Sequence, residues 1–123
     1  MDISKLTISD NFDVEITMPN GAETDLIITV AGQDSDVYKK HAMSTRNKRI
    51  KDMQRGKKNN TTAEQLEESG VDLLVACSVG WRGFELNGEQ IVFSADAVRD
   101  IYEQHAWIRD QVDVAIVDRS NFM

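Results

Sequence analysis

Cysteine, proline and long apolar runs are scarce in this chain, and each scarcity excludes a class of protein. Cys77 is the only cysteine among 123 residues, so a disulfide within the chain is excluded and we expect a reducing compartment such as the cytoplasm. Pro19 is the only proline, which excludes a proline-rich linker. The longest uninterrupted apolar run, residues 73–77, is far shorter than the roughly 18 residues that a membrane-spanning helix requires. The first residues also lack the basic start and apolar core of a secretion signal.

Residues that carry catalysis or hold metals are also few. His41 and His105 are the only histidines, and neither stands at ligand spacing from a second histidine or a cysteine, so a zinc site is not expected. Cys77 lies on an apolar helical turn without a helix N-terminus or a cation nearby in sequence to lower the pKa of its thiol. We therefore expect it to be buried and structural. Phosphate-binding loops and nucleophile elbows are missing from the sequence. These absences argue against an enzyme and against a bound cofactor.

Carboxylates are plentiful, and three of them, Asp96, Asp100 and Glu103, can share one helical surface. Paired carboxylates perform acid–base catalysis only where their environments separate their pKa values. We interpret this group as a solvated acidic face.

Charge is distributed unevenly along the chain. Residues 37–58 carry nine basic side chains against one acidic side chain, Asp52, and so have a net charge of +8, whereas the remaining residues have a net charge of −15. Asymmetry of this kind is typical of an interaction surface or of an electrostatically paired oligomer. The basic side chains are those of Lys39, Lys40, Arg46, Lys48, Arg49, Lys51, Arg55, Lys57 and Lys58.

The N-terminal half predicts a hairpin followed by two helices. Residues 13–18 alternate polar and apolar side chains, and residues 25–30 are rich in β-branched side chains. With the turn Pro19-Asn20-Gly21 between them, they predict an antiparallel hairpin over residues 13–31. A basic helix then begins near residues 34–36 and runs to about Arg55. Its apolar stripe is thin, so we expect it to need a partner.

Two flexible segments are expected, residues 1–12 and the polar loop 56–61. The second helix follows that loop, with capping-box spacing at Thr61 or Thr62. It carries Val71, Leu74 and Ser78 among the side chains that point to a core.

The C-terminal half carries the most specific pattern. The second helix is predicted to end at the corner Gly80-Trp81-Arg82-Gly83, and a hairpin over residues 83–93 turns at Asn87-Gly88, the favoured two-residue turn. Ser94 then caps a final helical region whose apolar spacing extends to Ile116, with a break near residues 105–107. The predicted fold is one α+β domain over residues 1–123: an N-terminal β-hairpin, two central helices, a short second β-hairpin and a C-terminal helical region.

The basic segment leaves two interpretations open. Lysines and arginines at this density can neutralise phosphates in salt-dependent nucleic-acid binding, although Tyr38 is the only aromatic there for base stacking and no helix-turn-helix or RNA-recognition signature surrounds it. A basic helix that meets acidic segments of another subunit or another protein explains the opposite charge of the remaining chain equally well.

The C-terminal pattern resembles that of the tail assembly chaperones of long-tailed bacteriophages. The resemblance is carried by Gly80-Trp81-Arg82-Gly83-Phe84, by Gly88 and Phe93-Ser94, by residues 107–112 and by residues 118–122, and it covers about residues 72–122. The family pattern has a proline just before the final helix, where this chain has His105-Ala106.

The resemblance implies a small, late-expressed, non-catalytic phage or prophage protein in the host cytoplasm. Proteins of this family bind the tape-measure protein, keep it soluble, help recruit the tail-tube protein, form homo-oligomers and are absent from the finished virion. A structural tail or connector subunit and a nucleic-acid-binding accessory protein that uses residues 39–58 remain the alternatives.

Candidate partner-binding residues come from the basic helix and from the large side chains of the C-terminal half, because arginine and aromatic residues are enriched where proteins bind one another. They are Lys39, Lys40, Arg46, Arg49, Ile50, Met53, Trp81, Arg82, Phe84 and Trp107.

Overall fold

The computed structural model describes residues 9–54 and 63–123. The helices and strands along the chain confirm the α+β class and the predicted sequence of hairpins and helices. They are β1 (Asn11–Thr17), β2 (Glu23–Ala31), α1 (Asp36–Gln54), α2 (Ala63–Cys77), β3 (Ser78–Arg82), β4 (Glu85–Leu86), β5 (Glu89–Gln90), α3 (Ala95–Gln104), α4 (Ala106–Val117) and a 3₁₀ helix (Arg119–Phe122).

The predicted N-terminal hairpin is confirmed, with longer strands than the alternation indicated. Strands β1 and β2 pair antiparallel from Asn11 opposite Ala31 to Thr17 opposite Glu23. Asn11 and Phe12, which were expected in a flexible segment, belong to β1. The turn uses Gly21 at φ +87°, a conformation that glycine adopts without strain. Ser9 and Asp10 of the predicted flexible segment precede β1, and the Ser9 backbone N–H donates a hydrogen bond to the Phe122 carbonyl at 2.6 Å. The remaining predicted flexible positions, residues 1–8 and 56–61, and the capping residues Thr61 and Thr62 lie outside the described residues.

The predicted corner at residues 80–83 is wrong, because most of it is a strand. The second helix ends at Cys77, and β3 continues directly from it to pair antiparallel with β2, with Trp81 opposite Ile28 and Arg82 opposite Ile27. The result is a three-stranded sheet in the order β1-β2-β3. Ser78, expected on the second helix, is the first residue of this strand.

The second hairpin turns where the sequence predicts but is shorter than residues 83–93. Strands β4 and β5 have two residues each. Asn87 at φ 54° and Gly88 at φ 84° both adopt the left-handed conformation that a tight hairpin turn of this kind requires.

The C-terminal helical region begins and breaks as predicted. The Ser94 hydroxyl accepts a hydrogen bond from the Ala97 backbone N–H at 3.1 Å and caps α3. His105 separates α3 from α4 in a non-helical conformation. A short 3₁₀ helix, which the sequence analysis did not include, follows α4 and buries Phe122.

The core lies between one face of the sheet and the helices. Strands β1 and β2 place alternate side chains on α4, so that Ile16, Ile28 and Val30 join Val112 and Ile116 in one buried cluster. Helices α2 and α3 extend this cluster with Leu74, Cys77, Val98 and Tyr102. The opposite face of the sheet carries no described helix or strand and is open to solvent.

The outer edge of β1 is closed at one end by a side chain instead of a strand. The Gln111 amide accepts a hydrogen bond from the Thr17 backbone N–H at 2.9 Å and donates one to the Thr17 carbonyl at 2.9 Å. This pair reproduces the hydrogen bonds that a neighbouring strand would form, and it joins α4 to the end of β1.

Candidate functional site

The predicted partner-binding residues fall into two groups. One group lies on α1: Lys39, Lys40, Arg46, Arg49, Ile50 and Met53. The other lies in the C-terminal half: Trp81 and Arg82 on β3, Phe84 just after it, and Trp107 on α4.

Helix α1 begins at a well-formed cap. The Ser35 hydroxyl accepts a hydrogen bond from the Tyr38 backbone N–H at 3.2 Å and donates one to the Gly32 carbonyl at 2.6 Å. Ser35, one of three predicted starting residues, thus ties the helix to the end of β2.

The described side chains of α1 that pack against the protein lie on one side of the helix. Helix α2 is its main neighbour, and the half-buried side chains among those described are Tyr38, His41 and Thr45, which share one side of the helix. No described side chain of α1 is buried. These described side chains therefore bury little surface to stabilise the helix.

The opposite side of α1, which we call the outer face, combines apolar and basic side chains. Met43 is 63% exposed and Ile50 is 43% exposed. They are seven residues apart and therefore share one line along the helix, diametrically opposite Tyr38, His41 and Thr45. Lys40 and Arg46 flank that line on either side, and both are exposed.

Within the described part of the chain, Lys40, Arg46, Lys48 and Lys51 of α1 form no ion pair with an acidic side chain. Lys39 differs, because the hydrogen bond from Arg119 and, to a smaller extent, the charge of Lys39 lower the pKa of Asp34. Arg82, Arg99 and Arg119 form ion pairs in the same part of the chain. The charge on α1 is therefore available to another molecule. The cations concerned are Lys40, Arg46, Lys48 and Lys51.

Trp81 serves mainly to hold the C-terminal half together. Its ring stacks on Phe84 with centroids 4.5 Å apart and meets Phe93 edge-on at 5.4 Å. Its indole N–H donates a hydrogen bond to the Ile91 carbonyl at 2.9 Å. Phe84 is only 5% exposed, so its ring belongs to the core and offers no surface to a partner.

The other two C-terminal candidates are partly accessible. Arg82 is exposed and pairs with Asp13 at 3.1 Å across the open face of the sheet. Trp107 is half-buried, and its ring lies edge-on to His105 with centroids 6.0 Å apart. These two residues are well separated in sequence from the cations of α1 and belong to other elements of the fold.

The buried ionisable groups in the described region are held in their neutral forms. Cys77 is fully buried, as expected, and burial raises the pKa of its thiol to about 11. Burial likewise raises the pKa of Tyr102 to about 12, and its hydroxyl lies 2.6 Å from that of Ser78, which donates to the Leu74 carbonyl at 2.7 Å. A neutral, inaccessible thiol is a poor nucleophile.

The acidic helical surface is solvated, as expected. Asp96, Asp100 and Glu103 are exposed, and Glu103 lies 4.0 Å from Arg99 on the same helix. Across residues 9–54 and 63–123, no group of three His, Cys, Asp or Glu side chains is placed to hold a metal ion. Within the same residues no helix is long and apolar enough to cross a membrane.

The candidate residues overlooked in the sequence are the carboxylates on the open face of the sheet. Asp13 and Glu15 of β1 and Glu23 and Asp25 of β2 are all exposed there. The sequence shows that these carboxylates alternate with apolar residues. It does not show which face of the hairpin the helices leave uncovered.

Comparison with protein-family models, with curated proteins and with solved structures gives no match for this chain. A proposal for its function therefore rests on its own surfaces and on the resemblance of its C-terminal pattern.

Proposed function

We propose that this chain is a non-catalytic tail assembly chaperone of a long-tailed bacteriophage. In this proposal it binds apolar helices of the tape-measure protein in the host cytoplasm, keeps that protein soluble until the tail-tube protein assembles around it, and leaves before the virion is complete.

The observation that carries the proposal is the outer face of α1. An exposed line of Met43 and Ile50 flanked by Lys40 and Arg46 suits an amphipathic helix of a partner, with apolar contacts along the middle and charge at the sides. Methionine adapts its shape to different partners, which favours a surface that receives many helical segments.

Co-expression with the tape-measure protein of the same phage tests the proposal. We expect the tape-measure protein to be soluble with the wild-type chain and to precipitate without it. Met43→Asp/Ile50→Asp should abolish this effect, because two carboxylates would have to be buried against an apolar helix.

A matched control changes two exposed valines on another helix. Val114 and Val117 of α4 are 68% and 51% exposed, so Val114→Asp/Val117→Asp introduces the same charges elsewhere and should leave the tape-measure protein soluble. Equal precipitation with and without the wild-type chain contradicts the proposal. Loss of solubility only in the control contradicts the assignment to α1.

Nucleic-acid binding is the second candidate, and the exposed cations of α1 that form no ion pair within the described residues, Lys40, Arg46, Lys48 and Lys51, are the observation that favours it. A gel-shift series over increasing salt would show affinity falling as counterions are released. Lys48→Glu/Arg49→Glu/Lys51→Glu should then weaken binding strongly. Absent binding, or binding that this variant leaves unchanged, removes the candidate.

A further inference from the structure

The open face of the sheet has an acidic rim around an apolar centre. Ile27 of β2 is half-buried and lies between Glu15 of β1 and Arg82 of β3. Asp13 lies in the next row, while Asp25 and Glu23 continue along β2 on the same face because strand side chains alternate. A shallow depression runs past Glu15, Asp25 and Ile27.

Most of these carboxylates have no cationic partner among the described residues. Asp13 pairs with Arg82 and accepts a hydrogen bond from the Thr29 hydroxyl. Glu15, Glu23 and Asp25 form no ion pair with any residue in the described ranges. Gly80 adds no side chain to the face, and the space above it is empty. The face is therefore acidic and accessible.

The outer face of α1 matches this surface in charge, polarity and length. Its cations oppose the carboxylates, and its line of Met43 and Ile50 matches the apolar centre at Ile27. Helix α1 is about 28 Å long at 1.5 Å per residue, and β2 is about 30 Å long at 3.3 Å per residue. Within one chain α1 packs on α2 instead, so a second chain has to supply the partner.

We propose that the outer face of α1 docks on the open sheet face of a second copy of this chain. The contact joins two different surfaces, so each copy offers one helix and one sheet face to its neighbours. Opposite charges across the contact guide association and make it sensitive to salt.

Only the consequence of the docking rests on the proposed function: the second copy covers α1 until the tape-measure protein displaces it. The docking itself is measured on the purified chain alone.

Light-scattering mass over a salt series tests the docking. In about 0.01 M salt, where the Debye length is about 30 Å, we expect a mass well above the 13.9 kDa of the monomer. In about 1 M salt, where that length is about 3 Å, the mass should fall towards the monomer. A chain that is monomeric in low salt, or an assembly that salt does not weaken, overturns the proposal.

Charge reversal identifies the two surfaces. Lys40→Glu/Arg46→Glu on the helix and Glu15→Lys/Asp25→Lys on the sheet should each raise the dissociation constant in low salt by at least about a hundredfold, because like charges then face each other. Mixing the two variants should restore assembly, since the reversed helix meets the reversed face and the unchanged helix meets the unchanged face. The recovery also shows that both variants are folded.

The control places the same change in charge on α4, where Asp110 and Asp113 are exposed. Asp110→Lys/Asp113→Lys should assemble like the wild type. Single variants that assemble normally, or a mixture that stays monomeric, overturn the docking. Because Glu15→Lys/Asp25→Lys leaves α1 unchanged, it should still keep the tape-measure protein soluble, so failure of the docking and failure of the proposed function give different results.

Discussion

Replacement of Gly83 by alanine should destabilise the fold by more than the cost of placing alanine at a positive φ. Gly83 follows β3 at φ +84°, and a Cβ built there would lie 2.2 Å from the carbonyl oxygen of Asp25 and 2.8 Å from its carbonyl carbon. Asp25 has no register partner itself, but it lies in β2 between Glu23 and Ile27, which are paired with β1 and β3 and limit its movement. The overlap is therefore with backbone that cannot easily yield.

Two effects add at this position. Alanine in the left-handed conformation costs about 1–2 kcal/mol. Overlap with a packed neighbour costs a further 1–3 kcal/mol, roughly, since the surrounding structure has to shift. We expect Gly83→Ala to lower the free energy of unfolding by about 2–5 kcal/mol.

Gly88 provides the matched control. It has the same φ of +84°, but nothing lies within 4 Å of a Cβ built there. Gly88→Ala should therefore cost only the conformational part, about 1–2 kcal/mol. Urea unfolding followed by tryptophan fluorescence measures both variants. Equal destabilisation by the two substitutions would refute the steric argument.

Three other side chains should also affect stability in a measurable way. Gln111→Ala should speed amide hydrogen exchange at Thr17 and lower the free energy of unfolding by about 1 kcal/mol, because the strand end loses both hydrogen bonds; unchanged exchange would count against this closure of the edge. Tyr102→Phe should cost about 1–2 kcal/mol in urea unfolding, since the buried Ser78 hydroxyl loses its neighbour, and a neutral effect would mean that the pair contributes nothing. The pKa of the Cys77 thiol is raised from 9.0 to about 11, so its contribution to stability is complete below pH 9 and is lost as pH rises to 11. This loss amounts to about 3 kcal/mol, and the decline in unfolding free energy over that range should be smaller in Cys77→Ala.

Local signals in the sequence predicted much of the fold. The two residues Asn87-Gly88 are sufficient to define their turn. The Ser94 hydroxyl caps α3 by accepting a hydrogen bond from a residue three positions later. The alternation of polar and apolar residues in β1 can be recognised without knowing its partner strand. In each case the determining contact lies within a few residues.

The features that the sequence did not predict depend on contacts between distant parts of the chain. Residues 78–82 form a strand because β2, about 50 residues earlier, offers them its free edge. Glycine at position 80 made a turn the more natural interpretation of that segment. The packing role of Trp81 could not be assigned from the sequence either, because its contacts with Phe84 and Ile91 depend on the arrangement of β3 and the second hairpin.

The candidate site, too, could be predicted only in part from the sequence. The basic character of α1 follows directly from the sequence, but its outer face could be identified only once Tyr38, His41 and Thr45 were seen to be half-buried. The acidic sheet face could be assigned only after α4 was seen to cover the opposite side of the sheet.

We propose that the outer face of α1 keeps an apolar helical protein in solution, and light scattering after dilution of the tape-measure protein from urea measures this activity. We predict that the wild-type chain suppresses aggregation in proportion to its concentration, and that Met43→Asp/Ile50→Asp does not. Aggregation that proceeds equally with the wild-type chain, with this variant and with neither would contradict the account.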